Sequence, residues 1–195
     1  MSAFVSGMCL HGGLRPFWAT FLIFADYLRP QLRLAALMKL PGIYIFSHDS
    51  IYVGEDGPTH QPVETLSSLR AIPNVQVLRP ADAQETLEAW KIACKSEDHP
   101  VCIVITRQTV QGFSKSDKNW EEKLSAHGAY VALDCDGVPD ITILATGSEV
   151  STAIEAAGLT PEKKVRIVSV MDFTKFDLAD QSVKNNLIGG AARVV

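Results

Sequence analysis

Short runs that are apolar at every position constrain this chain more than any other feature. Ile43-Tyr44-Ile45-Phe46 and the run from Val101 to Ile105 contain no charged residue, and their one hydroxyl is the phenol of Tyr44. A strand with one face in water alternates polar and apolar residues, so such runs require cover on both faces. Helices supply that cover in α/β proteins. Segments with helical spacing do separate the runs. Over residues 25–39, Leu28, Leu32, Ala35, Ala36 and Met38 recur at helical intervals, and Pro41-Gly42 closes the segment. Pro30 is expected in the first turn of that helix or at a kink, because proline removes an amide donor. A strand is predicted over 15–21, a helix near 63–70, a strand over 75–78, and a helix over 83–95 with Asp82 as its N-cap. The order predicts an α/β fold with a largely parallel sheet flanked by helices.

From Gln111 to Ser125 the residues turn to Lys, Ser, Asp, Asn and Glu with little periodicity. The pattern restarts after Asp140, with a strand over 141–145, a Thr-Gly-Ser turn, a helix over 148–157 and a strand over 165–170. The expected organisation is therefore a first domain over 1–110, a linker region over 111–139, and an incomplete second α/β domain over 140–195. The formal charge of −4 and the scatter of the 18 basic residues exclude a nucleic-acid surface, which needs clustered Lys and Arg. No apolar run reaches the ~20 residues that span a bilayer. Met1 to Leu10 is apolar but has no basic leader, and reads as part of a core helix that has lost its beginning. Cys9, Cys94, Cys102 and Cys135 lack metal-site spacing and read as small hydrophobes of a reducing compartment, the cytoplasm.

Residues 48–62, HDSIYVGEDGPTHQP, gather His48, His60, Asp49, Glu55 and Asp56 into a loop after a buried strand. Ligands of open α/β sheets bind beyond the carboxyl ends of strands, where such a loop lies. Histidine suits proton transfer near neutral pH, and a carboxylate can orient a hydroxyl. On residue types alone, a polar surface loop explains the stretch equally well.

The ordered string resembles transketolase, whose members carry HDSIxxGEDGPTHQP-like text after the corresponding strand. HGG at 11–13, TFLIFADYLRPQLRLAALM at 20–38, ITRQ at 105–108 and LATGSEV at 144–150 are similar to the same family, so the resemblance covers nearly the whole chain. It implies transfer of a two-carbon ketol unit between sugar phosphates, a step of the pentose phosphate pathway, with thiamine diphosphate and a divalent ion, Mg2+ or Ca2+. The resemblance puts the aminopyrimidine pocket on Phe21, Phe24 and Tyr27, whose bare pattern reads more readily as core packing. It makes His60 the residue at the donor's terminal hydroxyl and carbonyl, with a catalytic role, and gives a neighbouring hydroxyl to Asp56. It gives the substrate phosphate to His48 and Arg107. A guanidinium after a buried strand suits phosphate, or else a structural ion pair.

The pattern departs from the family at both ends. Family members carry a glutamate shortly before the position of Met1 that hydrogen-bonds the aminopyrimidine, and a preceding domain whose GDG…N motif holds diphosphate and metal. Neither is found in these residues, and no metal ligand is expected among them. Family sites also form between two chains. The expectation is a pyrimidine-side fragment, from a truncated gene or a separate subunit, that is inactive alone. Alternatives are a non-catalytic partner of full-length transketolase and a fragment of dihydroxyacetone synthase; 1-deoxyxylulose-5-phosphate synthase fits the 48–62 string less well.

Overall fold

The computed structural model describes residues 2–195 and divides into two compact units, one built from residues up to 78 with 89–109, the other from 79–88 with 110–195. The elements of the first unit are α1 (Ser2–His11), β1 (Phe17–Phe21), α2 (Ala25–Leu37), β2 (Ile43–Ser47), α3 (Thr65–Arg70), β3 (Gln76–Leu78), α4 (Ala83–Lys95) and β4 (Val101–Val104). The first residues of α4 belong to the second unit.

The four strands form one sheet in the order β1-β2-β4-β3, every pairing parallel. β4 is buried at all four positions, as a run without polar breaks requires. Tyr44 and Phe46 of β2 pack with Cys102 and Val104 against Val5 of α1, Leu22, and Leu28, Leu32 and Ala36 of α2. Burial raises the Tyr44 phenol to about 12. Phe17 at the start of β1 meets Trp90 of α4 edge-on, with ring centroids 5.8 Å apart.

Helix α2 carries Pro30 in its second turn, past the first-turn position; a kink is the other expectation. Proline deprives the carbonyl one turn back of its donor. The burial of Leu28, Leu32, Ala35 and Ala36 against the sheet offsets that cost. Asp82 caps α4 as its position suggests, its Oδ1 accepting from the Glu85 amide at 2.9 Å.

The second unit contains α5 (Trp120–His127), β5 (Ala129–Leu133), β6 (Ile141–Ala145), α6 (Glu149–Gly158), β7 (Val165–Val170), α7 (Phe173–Leu178), α8 (Gln181–Ile188) and β8 (Arg193–Val194). Its sheet runs β5-β7-β6-β8, with β5 antiparallel to β7 and the other pairings parallel. Within the stretch read as linker, 120–133 thus form α5 and β5 of this sheet. Their polar character belongs to one exposed face, since Leu124, Ala129 and Tyr130 are buried. Gly128 turns α5 into β5 with φ +74, and a Cβ there would lie 2.3 Å from the Asp172 carbonyl oxygen. No side chain fits that approach.

Glu85 is fully buried in this unit. Its carboxylate accepts from the Tyr130 hydroxyl at 2.8 Å, the Ser169 hydroxyl at 2.7 Å and the Ala81 amide at 2.8 Å. Neighbouring Asp82 is ion-paired to Lys115. Burial pushes the Glu85 carboxyl above the ordinary carboxylate range, and the three donors oppose that shift.

Glu85→Ala strands three buried donors and is expected to cost at least about 3 kcal/mol in urea unfolding. A raised folded-state value means the folded protein binds the proton more tightly than the unfolded chain. The contribution of Glu85 to stability is therefore full at pH below the unfolded carboxyl value and falls as pH rises toward the folded one. Wild type should lose stability relative to Glu85→Gln across that window, as pH-dependent unfolding would record. Gly128→Ala should destabilise by more than ~1 kcal/mol, read by the same unfolding curves.

Candidate functional site

Parallel pairing brings the carboxyl ends of β1, β2 and β4 to one edge of the first sheet. Phe21, the last residue of β1, is in register with Ser47, the last of β2. Phe46 is in register with Val104, and the Ile105 amide continues the ladder by donating to the Phe46 carbonyl at 2.8 Å. The segments that follow, Leu22–Tyr27, the loop 48–62 and Thr106–Arg107, start at this edge.

A 3-10 turn over Leu22–Phe24 links β1 directly to α2. Leu22, Ala25 and Leu28 point into the core, so residues 21, 24 and 27 lie on the other side. Phe21 and Phe24 are nearly parallel, at 15°, with centroids 6.1 Å apart, and Tyr27 follows 6.0 Å from Phe24. The two phenylalanines are half-buried and Tyr27 is 86% exposed. This row leaves aromatic surface uncovered, unlike ordinary core packing.

The loop returns to the row through its two histidines. His48 stacks on Phe21, centroids 3.6 Å apart and planes 22° apart. It holds a left-handed backbone, φ 59, that residues with a Cβ rarely adopt. After it, Asp49 and Val53 are buried, and the Ser50 hydroxyl accepts from the Tyr52 amide to cap a 3-10 turn over Ile51–Val53. Gly54 and Gly57 both have positive φ, and the His60 amide donates to the Gly57 carbonyl at 3.1 Å. Gln61 closes the loop by donating to the carbonyls of Ile51 and Gly54, each at 3.4 Å. His60 is thereby set edge-on to Phe24, centroids 5.4 Å apart, and to Phe21 at 6.3 Å.

Five of the seven residues singled out in the sequence, Phe21, Phe24, Tyr27, His48 and His60, thus form one continuous set of ring contacts. Asp56 is exposed between the two loop glycines, and Arg107 is exposed just past β4. Among the described residues, no hydrogen bond or ion pair ties either of them to the rings. Two hydroxyls escaped the sequence reading. Ser47 Oγ lies 3.0 Å from His48 Nδ1, and Thr59 Oγ1 lies 2.9 Å from His60 Nδ1. The signal was present as the adjacent pairs Ser-His and Thr-His. Among the described residues, no three His, Cys, Asp or Glu side chains are grouped to hold a metal ion. No helix among them is long and apolar enough to cross a membrane.

Comparison with known proteins gives this edge its context. The model of the transketolase pyrimidine binding domain matches residues 1–112, and that of the transketolase-like C-terminal domain matches 128–195. The chain belongs to the transketolase family. The transketolase of Treponema pallidum (strain Nichols) is 56% identical over 195 residues, which are all of this chain and 29% of that protein. The chain therefore spans less than a third of that relative. A transketolase from Pichia stipitis solved in complex with sedoheptulose-7-phosphate superposes with TM-score 0.87 at 39% identity, covering 96% of this chain and 27% of that one. A split-gene transketolase described as an inactive beta4 tetramer superposes with TM-score 0.74 at 26% identity, covering 98% of this chain and 60% of that one. The family's pyrimidine domain accounts for the parallel sheet, and its C-terminal domain for the mixed one.

Phe21 touches Phe24, His48 and His60, so Phe21→Ala removes the shared ring of the set. A loss of about 2 kcal/mol in urea unfolding is expected, below the full core value because the ring is half-exposed. An unchanged midpoint would show that the rings do not hold one another.

Proposed function

We propose that this chain supplies the aminopyrimidine wall and the sugar-phosphate contacts of a transketolase, which moves a two-carbon ketol unit between sugar phosphates. The observation that carries the reading is the row of Phe21, Phe24 and Tyr27 with uncovered aromatic surface, flanked by two imidazoles. A flat heteroaromatic ring of a cofactor fits such a row through offset and edge contacts. When bound, thiamine diphosphate supplies the nucleophilic carbon that carries the ketol unit. Phe21, Phe24 and Tyr27 would hold its pyrimidine ring and exclude water from it.

The family resemblance supplies the remaining roles, and the chemistry of each side chain suits its role. His60 donates a hydrogen bond to the terminal hydroxyl and carbonyl region of the ketose, with its ring held against Phe24. Asp56, exposed at the tip of the loop, accepts from a neighbouring sugar hydroxyl. Arg107 offers paired donors to the substrate phosphate from the end of β4, and His48 adds a further donor from the end of β2. Their start from neighbouring strands supports a common target. The divalent ion and the diphosphate would be held by other parts of the enzyme, and a second transketolase chain would complete the site in the cytoplasm. The domain assignment proposed is a pyrimidine domain over 1–110, a connecting region over 111–139 that carries α5 and the β5 strand of the second sheet, and C-terminal-domain sequence over 140–195.

The 195 residues assayed by themselves are expected to show no ketol transfer from xylulose 5-phosphate to ribose 5-phosphate. The Treponema pallidum transketolase is a chain of which this one spans 29%. The likeness to the split-gene chain favours a second reading, a non-catalytic subunit or partner of a longer transketolase. Co-purification with a full-length transketolase would distinguish it.

The decisive experiment replaces the matched 195 residues of the Treponema pallidum enzyme with this chain. The chimera is expected to transfer ketol units, and His60→Ala in it should lower kcat/KM by about 100-fold or more. Phe21→Ala should weaken thiamine diphosphate binding. A folded chimera in which both substitutions are silent would overturn the proposal.

A further inference from the structure

Both histidines of the site share a feature that their roles alone do not require. Each has its Nδ1 next to the hydroxyl of the residue before it in sequence, Ser47 at 3.0 Å from His48 and Thr59 at 2.9 Å from His60. Each ring plane is also set by aromatic contact, His48 face-on to Phe21 and His60 edge-on to Phe24. With the plane set and Nδ1 engaged, only Nε2 is left to face a ligand.

In a neutral imidazole one nitrogen carries the proton and the other accepts, and the partner of one nitrogen decides the state of the other. A hydroxyl can act in either sense. Of the two senses, a hydroxyl donating to an unprotonated imidazole nitrogen makes a stronger bond than a ring N–H donating to a hydroxyl oxygen, which favours Nδ1 as the acceptor. In that sense Nε2 would carry the ring proton. That tautomer is the one able to donate to a phosphate oxygen or a sugar oxygen, whereas its alternative would set a lone pair against them.

We propose that Ser47 and Thr59 are positioning residues that fix His48 and His60 in the Nε2–H tautomer and so set both as hydrogen-bond donors toward an oxygen-rich substrate. The left-handed backbone of His48 serves the same end, because it brings the ring over Phe21 while Nδ1 stays beside the Ser47 hydroxyl. The donor role rests on the function proposed above, but the tautomers do not depend on any ligand.

The test is long-range 1H–15N NMR of the chain labelled at histidine nitrogens, in alkaline buffer without substrate. His48 and His60 are expected as single Nε2–H tautomers. Ser47→Ala and Thr59→Ala should each let the Nδ1–H form appear at the adjacent histidine alone, while Ser47→Thr and Thr59→Ser keep the parent spectrum. A merely structural hydroxyl would not give this one-to-one pattern with rescue. Nδ1–H signals in the unsubstituted chain, or tautomers indifferent to all four substitutions, would overturn the inference, and the parent spectrum decides it even if the Ala variants fail to fold. In the chimera, Thr59→Ala should lower kcat/KM about 5-fold, the worth of one ordinary hydrogen bond, with Thr59→Ser restoring it. Inorganic phosphate added to the labelled chain separates the two proposals. Nε2–H tautomers with no response of His48 to phosphate would support the hydroxyls' role and count against the phosphate role.

Discussion

The register of three parallel strands is the constraint on which the site depends. Phe21 pairs with Ser47, and Phe46 pairs with Val104, so three chain segments leave the sheet at one level. Parallel pairing gives this result without long-range tuning, because every strand ends at the same edge and every connection must return on the far side. A slip of one residue in β1 would turn Phe21 to the opposite face of the sheet and break its stack on His48. The buried faces oppose that slip. Tyr44, Phe46, Cys102 and Val104 are packed under α1 and α2, and β4 has no exposed position to accept a shifted partner.

A second level of order is local. β1 passes into α2 through a single 3-10 turn, so Phe21, Phe24 and Tyr27 follow at intervals of three while Leu22, Ala25 and Leu28 anchor the other side. The loop from His48 to Gln61 has no regular element beyond one 3-10 turn, yet it closes on itself through Gln61 and two glycines of positive φ. The backbone strain at His48 sits where the loop leaves the sheet. Strain of this kind persists only when the surroundings over-determine it, and here the Phe21 ring and the Ser47 hydroxyl do so.

Much of this was legible in the sequence, for identifiable reasons. The apolar runs at 43–46 and 101–105 mark buried strands because they carry no charge on either face, and the structure has the largely parallel, helix-flanked sheet they imply. The aromatic row was ambiguous by spacing, since a stripe at intervals of three also describes core packing; the family resemblance separated the two readings. Three features were not legible. Pro30 lies a turn deeper in α2 than proline chemistry alone suggests, because tertiary burial outweighs the lost bond. The charged stretch before Gly128 looked irregular although its few apolar residues, Leu124 among them, build a helix on the second sheet. The pairing of Ser47 and Thr59 with the histidines depends on side-chain rotation, which periodicity does not encode.

The proposed role of this sheet edge is to unite a ring-binding wall with donors for a sugar phosphate. It is tested most directly by a crystal structure of the Treponema chimera with thiamine diphosphate and a ketose phosphate bound. The expected result is a pyrimidine ring in van der Waals contact with Phe21, Phe24 and Tyr27, and a phosphate within hydrogen-bond distance of His48 and Arg107. A cofactor ring seated elsewhere, with those three aromatics facing solvent, would contradict it.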